Sequence, residues 1–469
     1  MRHVTLDPVH IVILAAGQGT RMKSARPKVL HRAAGLPMIE HVLATASELQ
    51  PRSTTVVVGH QADGLRASLG DGLHKNLTFV VQEPQLGTGH ALMTAESALS
   101  NATGTLVLLY ADVPALPATT VKALVDHHVE CSAAATVLTA IVDNPTGYGR
   151  IVRSGEQIAR IVEERDATSA ERAIREINSG IYAFALDGLF ATLRTLAPDN
   201  AQREYYLTDL VSILRDRGKR VETVIVSNPD DIRGVNSRSD LAAVSRVMRE
   251  RKVAELMAAG VTIEDPATAY IDRDVTIGAD TIVRPGVSIE GRTTIGSACE
   301  IHSGVRIVDS QIGDRVAIYN HCVITEARIG DDVKIGPFAH LRNAADVRKS
   351  ARVGNFVELK KTVLGEGSKS NHLAYLGDAT IGQKVNIGAG TITCNYDGVK
   401  KNPTIIEDGA FIGSDTQLIA PVTVGKGAYV GSGTTVRQNV PPGALAVSAG
   451  KQRNIEGWVD KKKNKKSEV

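Results

Sequence analysis

Beyond residue 260 the chain repeats one pair, an aliphatic residue followed by glycine. The pair occurs at Ile277-Gly278, Ile295-Gly296, Ile312-Gly313, Ile329-Gly330, Ile335-Gly336, Val353-Gly354, Leu376-Gly377, Ile381-Gly382, Ile387-Gly388, Ile412-Gly413, Val424-Gly425 and Val430-Gly431. The spacings cluster at multiples of six, with slips of one residue. A six-residue period is typical of a parallel β-helix, in which each coil has three short flat faces. The pattern therefore predicts a prism, with the aliphatic residue pointing inward and the small residue allowing the turn.

The first half of the chain has a different pattern, in which short apolar runs alternate with helical spacing. Strands are predicted at 9–16, 54–58, 79–82 and 104–110, and helices at 38–49 and 91–99. This order indicates a doubly wound α/β sheet with ligands at the carboxyl ends of its strands. A long helix is predicted at 237–260, with Ser237 or Ser239 as its cap and Gly260 at its end. The predicted domains are 1–236, a linker helix at 237–262, a β-helix at 263–450 and a basic tail at 451–469.

Composition excludes several classes of protein. The formal charge of +3 argues against a dedicated nucleic-acid binder, and the apolar run at 9–16 is too short to span a bilayer. The four cysteines have neither metal-ligand spacing nor the pattern of a disulfide framework. We therefore expect a cytoplasmic protein without membrane insertion or nucleic-acid partners.

A glycine-rich turn follows the first predicted strand. Gly17 and Gly19 would let backbone N–H groups approach phosphates, although a plain dinucleotide-binding turn would need a third glycine that is missing. Instead Arg21 and the pair Pro27-Lys28 follow. This run resembles the signature of the sugar-1-phosphate nucleotidylyltransferases. The segments QEPQLGTGHA from Gln82, YADVP from Tyr110, GYGR from Gly147, Glu163, Asn178 and GVN from Gly234 extend the resemblance.

The resemblance implies a uridylyltransferase that uses UTP and Mg²⁺. Asp112 and Asn236 would supply the hard oxygen ligands that Mg²⁺ prefers, and Lys28 and Arg21 would hold the triphosphate. The implied nucleotide and sugar contacts are Leu14, Ala15, Ala16, Gly17, Lys28, Gln82, Gly87, Thr88, Tyr110, Ala111, Asp112, Gly149, Glu163, Asn178 and Asn236. In isolation, Asp112 could instead cap a helix, Asn236 could be a turn residue and Lys28 could lie on the surface.

The β-helix carries a second group of motifs: GPFAHLRNAA, GNFVELKK, SNHLAYLGDATIG and NIGAGTITCNYDGVKKN. They resemble the acetyltransferase half of the bacterial bifunctional uridylyltransferase–acetyltransferases that make UDP-N-acetylglucosamine, and the resemblance spans 12–458. In that family the β-helix winds left-handed and forms a homotrimer. The resemblance implies His372 as general base, and Arg342, Lys360 and Lys401 as a clamp for the phosphate of glucosamine-1-phosphate. It also implies Tyr375 and Asn386 as sugar contacts, and Ala389, Asn395, Tyr396, Ser414 and Ser432 as acetyl-CoA contacts.

Two departures from that pattern stand out. Ala449 follows Ser448 where the family can show arginine, so Lys451 or Arg453 would have to meet the CoA phosphates. Asn343 stands where proline is common, which would change only a turn.

Two other functions stay open on the sequence alone. One is a single-activity nucleotidylyltransferase whose β-helix serves assembly, and His372, Lys360, Tyr375 and Asn386 argue against it. The other is a non-enzymatic regulator, which should have lost Lys28, Asp112 or His372.

Overall fold

A computed structural model describes residues 7–17, 19–59, 62–73, 77–448, 450, 452 and 454–459. The chain forms two compact units, Met1–Arg249 and Glu250–Val469, which are described separately. Ala449, Lys451, Arg453 and the lysines of the tail at 461–466 lie outside the described residues. Within the described part of the chain, no helix has both the length and the apolar character that crossing a membrane requires.

The first unit alternates strands and helices as predicted. Its strands are β1 Val9–Ala15, β2 Arg32–Ala33, β3 Leu36–Pro37, β4 Ser53–Val58, β5 Leu77–Val81, β6 Thr105–Tyr110, β7 Ala135–Ile141, β8 Arg150–Ser154, β9 Gln157–Val162, β10 Glu176–Ala185 and β11 Val221–Ile225. Its helices are α1 Met38–Glu48, α2 Ala62–Leu73, α3 Thr88–Thr94, α4 Ala118–Glu130, α5 Ser169–Arg172, α6 Leu189–Leu193 and α7 Asp209–Asp216. Short 3-10 turns occupy Thr20–Met22, Lys28–Leu30, Ala95–Leu99 and Pro229–Ile232.

The main sheet of this unit has the order β11-β7-β10-β6-β1-β4-β5. Strands β5, β4, β1 and β6 run parallel, whereas β10 is antiparallel to both β6 and β7. Both faces of β1 are buried, with Ile11 and Ile13 in one core and Val12 and Leu14 in the other. A strand covered on both faces has no polar side to show, which explains its uninterrupted apolar sequence.

The helix α8, Arg238–Ala258, begins in the first unit and ends in the second. Ser237 Oγ accepts a hydrogen bond from the Asp240 amide at 3.2 Å, and Asp240 Oδ2 accepts one from the Ser237 amide at 2.8 Å. This reciprocal cap fixes the start of the helix and also the turn that carries Asn236, whose own amide donates to Asp240 at 3.1 Å. The helix stops before Gly260, which has a φ of 94°.

The second unit is the predicted parallel β-helix, built from three parallel sheets of two- to four-residue strands. The first prism sheet contains Thr262–Ile263, Ile282–Val283, Glu300–Ile301, Ala317–Ile318, Lys334–Ile335, Arg352–Asn355, Lys369–His372, Asn386–Ile387, Phe411–Ile412, Tyr429–Val430 and Leu445–Ala446. The second contains Tyr270–Ile271, Ser288–Glu290, Arg306–Val308, Val323–Thr325, His340–Arg342, Glu358–Lys360, Tyr375–Gly377, Ile392–Cys394, Gln417–Ile419 and Thr435–Val436. The third contains Thr276–Ile277, Thr294–Ile295, Gln311–Ile312, Arg328–Ile329, Asp346–Val347, Val363–Leu364, Ala379–Ile381, Thr404–Ile406 and Val422–Val424.

The aliphatic members of the repeat fill the prism interior, where Ile289, Ile301 and Ile307 are fully buried in one continuous core. The corners use left-handed backbone, and not only at glycine. Asn343 and Ala344 have φ values of 51° and 62°. Proline cannot adopt a positive φ, so Asn343 sits in a turn that excludes the proline expected from the family pattern. Asparagine is among the residues that tolerate this conformation best.

Candidate functional sites

A cavity of about 460 Å³ opens in the first unit where β1, β5 and β6 end. Many of the residues predicted from the sequence line it: Leu14, Ala15, Ala16, Gly17, Lys28, Gln82, Gly87, Thr88, Tyr110 and Asp112. Val29, Gln85, Ala91 and Glu204 complete the lining. The carboxyl ends of parallel strands meet at one edge of the sheet, which explains why segments distant in sequence converge here.

Two glycines bring the backbone close to this cavity. Gly19 has a φ of 61°, and a Cβ added there would lie 2.7 Å from Cβ of Lys28. Gly87 has a φ of 104°, and an added Cβ would lie 2.8 Å from the carbonyl oxygen of Tyr205. Any side chain would displace either loop, so both glycines are required by close approach as well as by backbone conformation.

Three polar residues from distant segments meet at the cavity's edge. The ammonium of Lys28 donates to Oδ2 of Asp112 at 2.5 Å and to Oδ1 of Asn236 at 3.2 Å. The Lys28 and Asp112 side chains are only 10% and 17% exposed. Asp112 follows β6, and its carbonyl accepts from the amide of Val235, which ties it to the Asn236 turn. A carboxylate and an amide oxygen are donors that suit Mg²⁺, although here a side-chain cation is bonded to both. Among the described residues, no three His, Cys, Asp or Glu side chains are grouped to hold a metal by themselves.

Gly149, Glu163 and Asn178 form a second cluster. The carbonyl of Gly149 accepts from the amide of Asn178 at 2.8 Å, and a Cβ added to Gly149 would lie 3.6 Å from Glu163 Oε2. Burial raises the pKa of Glu163, partly offset by the hydrogen bond that Thr208 donates to its Oε1 at 3.1 Å. The partly buried phenol of Tyr110, which lines the cavity, is an electrostatic neighbour of Glu163, which places this cluster beside the cavity.

Two further predicted residues, Ala111 and Arg21, belong neither to the cavity lining nor to the two groups described above. Ala111 is fully buried and holds the strand ends together, because its amide donates to the carbonyl of Leu14 at 3.0 Å. Arg21 lies exposed on the turn Thr20–Met22. Sequence reasoning missed Gln85, which donates from Nε2 to the Ala16 carbonyl at 2.5 Å and so braces the glycine-rich turn. It lies three residues after Gln82 in a segment already singled out.

In the β-helix, a carboxylate that sequence reasoning missed joins two predicted residues. Oδ2 of Asp378 accepts a hydrogen bond from Lys360 at 2.9 Å and another from Nδ2 of Asn395 at 2.5 Å. Burial alone would raise the pKa of Asp378, but these two hydrogen bonds lower it overall. Asp378 is therefore an ionised acceptor at neutral pH.

His372 lies exposed at the end of its strand in the first prism sheet. Its Nδ1 is 2.8 Å from Oδ1 of Asn355, its register partner one coil earlier. An amide oxygen only accepts, so in this contact Nδ1 carries the proton, and Nε2 of the neutral ring is then an acceptor. This is the tautomer that a general base requires, and Asn355 is a second residue that sequence reasoning missed.

The remaining clamp residues are also paired. Arg342 Nε donates to Oε1 of Glu358 at 2.8 Å. Lys401 lies 4.4 Å from the ring centroid of Tyr396, a cation–π contact within the loop 394–402 that contains the CNYDG run. Asp397 in that loop accepts from the amides of Val399 and Lys400 and from the side chain of Asn402, which together lower its pKa to about 2.

Three of the predicted acetyl-CoA contacts, Ala389, Ser414 and Ser432, occupy stacked positions at one corner. A Cβ added to Gly388 would lie 2.5 Å from the amide of Ser414, and one added to Gly413 would lie 2.6 Å from the amide of Ser432. Ala389 shares the corner, because its carbonyl accepts from the amide of Asp415. Asn386 begins the neighbouring strand and is in register with Lys369, in the same strand as His372.

The coil length was the signal that could have revealed the missed partners. His372 lies 17 residues after Asn355, Asp378 lies 18 after Lys360, and Asn395 lies 17 after Asp378. In a prism with coils of this length, such residues lie on adjacent coils, in register or one residue from it. Adding one coil to each predicted site residue would have pointed to its neighbour.

The chain matches three family models, each in the expected part of the sequence. Residues 11–180 match the MobA-like NTP transferase domain, 269–392 match the GMPPB C-terminal domain, and 403–438 match six bacterial transferase hexapeptide repeats. The first covers the glycine-rich turn and the Asp112 strand. The other two cover the β-helix.

The relatives that match this chain over nearly its whole length share one name. The bifunctional protein GlmU of Trichlorobacter lovleyi is 49% identical over 97% of this chain and 98% of its own length. Those of Brevibacillus brevis and Geotalea uraniireducens are 47% and 49% identical, over 97% and 96% of this chain and 98% and 99% of theirs. Identity at this level along the whole length covers both units and both groups of site residues. The chain therefore belongs to the GlmU family of bifunctional enzymes, which join a uridylyltransferase to an acetyltransferase in UDP-N-acetylglucosamine synthesis.

Proposed function

We propose that this chain acetylates glucosamine-1-phosphate with acetyl-CoA and then transfers UMP from UTP to the product, releasing pyrophosphate. The cavity of the first unit serves the second reaction, and the Lys360–His372 region of the β-helix serves the first. UDP-N-acetylglucosamine made in this way would supply peptidoglycan and lipopolysaccharide synthesis. The reactions belong in the cytoplasm, which suits four cysteines that are all unpaired.

The uridylyltransferase assignment rests on the hydrogen bonds of Lys28 with Asp112 and Asn236. In this reaction a phosphate oxygen of the sugar attacks the α-phosphorus of UTP, so the site must align two anions and neutralise their charge. Lys28 would turn its ammonium from Asp112 to the phosphates, while Asp112 and Asn236 would hold Mg²⁺. Bound Mg²⁺ would supply charge neutralisation across the phosphates. The attacking phosphate is already ionised, so this chain needs no nucleophile of its own.

The second cluster is partly buried, which suits sugar recognition. Glu163 and Asn178 would exchange hydrogen bonds with sugar hydroxyls near the backbone of Gly149. Gln82, only 4% exposed, donates to the Gly87 carbonyl at 2.9 Å and so shapes the loop proposed to hold the uracil and ribose. The exposed Arg21 would reach the triphosphate only when that ligand is bound.

The His372–Asn355 contact carries the acetyltransferase assignment. The 2-amine of the sugar attacks the thioester carbon, and Nε2 of His372 takes the proton that the nitrogen loses. The C–N bond forms as the C–S bond breaks, and the proton leaves with the thiol of CoA. Arg342, Lys360 and Lys401 would bind the 1-phosphate, since charged donors hold phosphate strongly. Tyr375 and Asn386 would orient the sugar.

A homotrimer would complete this site. Ligand sites are concave, whereas a prism face is flat, so a groove between two prisms offers the enclosure that CoA needs. Phe338 and Phe356 stack with ring centroids 5.4 Å apart and are 49% and 55% exposed at a prism corner. Both have φ near 55°, a costly backbone conformation for a bulky residue. A partner surface that buried these rings would offset that cost, and threefold closure would cover every copy alike.

One coupled assay tests the proposal. Purified protein is supplied with glucosamine-1-phosphate, acetyl-CoA, UTP and Mg²⁺, and each co-substrate is omitted in turn. UDP-N-acetylglucosamine should form only in the complete mixture, and N-acetylglucosamine-1-phosphate should accumulate without UTP. Uridylyl transfer without acetyl transfer would favour a single-activity enzyme with an assembly domain. A folded protein with neither activity would favour a regulator.

A further inference from the structure

Asp378 is a carboxylate that is bonded to residues proposed for two different substrates. Lys360, proposed for the sugar phosphate, and Asn395, proposed for acetyl-CoA, both donate to its Oδ2, at 2.9 and 2.5 Å. The Lys360 and Asp378 side chains are 18% and 12% exposed, and Asn395 is 5% exposed. Water therefore competes little for these bonds, and a change at one donor reaches the other through a single shared oxygen.

The residues around this oxygen are closely packed. A Cβ added to the adjacent Gly377 would lie 2.4 Å from the Tyr375 hydroxyl and 2.7 Å from Nδ2 of Asn395. Asp378 itself has a φ of 50°, and its amide donates to the Lys360 carbonyl at 2.9 Å. The backbone thus holds the carboxylate directly against Lys360. The Tyr375 hydroxyl and the side-chain amide of Asn395 both lie close to Gly377, the residue before Asp378.

We infer that Asp378 couples the two substrate sites, so that binding of glucosamine-1-phosphate tightens binding of CoA. When the 1-phosphate takes up part of the charge of Lys360, Oδ2 of Asp378 becomes a stronger acceptor for Asn395. Asn395 is then held more firmly in the position proposed to meet acetyl-CoA. Coupling of binding is reciprocal, so CoA must tighten sugar-phosphate binding by the same factor.

The inference rests on the proposed roles of Lys360 and Asn395, and it makes Asp378 a positioning residue. A merely structural role would predict that losing the carboxylate weakens both ligands together. Coupling predicts instead that the change affects the binding of one ligand alone and the effect of one ligand on the other differently. Asp378 competes with phosphate for Lys360, so a neutral residue should leave glucosamine-1-phosphate alone bound at least as tightly as in the wild type. The same change should abolish the effect of one ligand on the other.

The test uses CoA rather than acetyl-CoA, because without an acetyl group both ligands can bind with no turnover. Isothermal titration of the full chain gives the dissociation constant of CoA with and without saturating glucosamine-1-phosphate. In the wild type the constant should fall by about fivefold or more, the lower end of typical coupling. In Asp378→Asn the ratio of the two CoA dissociation constants should approach one. Asp378→Ala removes the side-chain acceptor altogether and should give the same ratio.

Asp332→Asn is the matched control. Asp332 also has a left-handed backbone, with a φ of 61°, and is paired with one cation, Arg315, at 2.7 Å. In the Asp332→Asn variant, glucosamine-1-phosphate should tighten CoA binding by the same factor as in the wild type. Equal coupling in wild type and Asp378→Asn, no coupling in the wild type, or weaker binding of glucosamine-1-phosphate alone in a folded Asp378→Asn would overturn the inference. Absence of acetyl transfer in the wild type would instead overturn the proposed function.

Discussion

Lys28 donates from its ammonium to Oδ2 of Asp112 at 2.5 Å, although 84 residues separate them in the chain. The same ammonium reaches Asn236 at 3.2 Å. In this arrangement a side-chain cation lies where two oxygen donors converge, the position proposed for a divalent cation. Binding Mg²⁺ and turning Lys28 toward the phosphates would therefore be one event.

The first prediction follows for Asp112. Asp112→Ala removes the carboxylate proposed, with Asn236, to hold Mg²⁺, so uridylyl transfer should fall by about 100-fold or more. Acetyl transfer needs no cation that bridges phosphates and should stay within about twofold of the wild type. Both rates are measured on the same preparation by pyrophosphate release and thiol release. EDTA should reproduce the split in the wild type. Equal loss of acetyl transfer would contradict this partition of the two activities.

The second prediction concerns the tautomer of His372. His372→Ala should slow acetyl transfer by about 10²–10⁴-fold, the usual contribution of a positioned base. Asn355→Ala keeps the imidazole but releases the Nδ1 proton, so it should lower kcat by a smaller factor with little change in KM for acetyl-CoA. Asn355→Asp should restore part of the loss, because a carboxylate also accepts from Nδ1. Uridylyl transfer is the internal control. An unchanged kcat in Asn355→Ala would show that the base needs no positioning from this side.

The third prediction concerns the acid stability of the first unit. His128 is 3% exposed, and its Nδ1 lies 3.0 Å from Thr136 Oγ1. Burial, with a smaller contribution from His127, lowers its pKa from 6.5 to about 4. Below pH 6.5 the unfolded chain therefore takes up a proton that the folded chain refuses, so stability falls between pH 6.5 and 4 and then levels off. A shift of this size corresponds to about 3 kcal/mol.

His128→Gln should flatten that pH dependence, and the partly exposed neighbour gives the comparison variant His127→Gln, which should change it much less. The measurement is the urea midpoint at pH 7.5 and pH 5, followed by hydrogen exchange in peptides covering α4 and β7. A wild-type midpoint independent of pH in this window would show that His128 is not the titrating group.

Much of the fold could be predicted, because each unit obeys a simple period. The alternation in the first half and the six-residue repeat in the second mark their strands directly. The site residues gathered by short motifs, such as Lys28 with Asp112, also follow once parallel strand ends are known to share an edge. Partners supplied by three-dimensional stacking were missed. Asn355 and Asp378 belong to no functional pattern in the sequence, and only the coil length brings them against His372 and Lys360.

The last prediction is that the acetyl-transfer site is shared between chains. His372 lies on the prism, whereas Asn395 begins a loop whose tip, Val399, is 90% exposed. That loop is stiffened from within, since Asp397 holds the amides of Val399 and Lys400 at 2.9 and 2.8 Å. A loop that keeps its own shape and presents an apolar tip to solvent is suited to contacting a neighbouring copy.

Co-expression of two inactive variants tests this. One carries His372→Ala, and the other carries Asn395→Ala with Tyr396→Ala. If neighbouring chains share each groove, some grooves in mixed trimers draw His372 from one chain and the intact loop from another, so part of the acetyl-transfer activity returns. Separately purified and mixed variants that do not exchange chains are the control. Verified mixed trimers without recovery would place the whole site on one chain, and a monomer by light scattering would rule out sharing altogether.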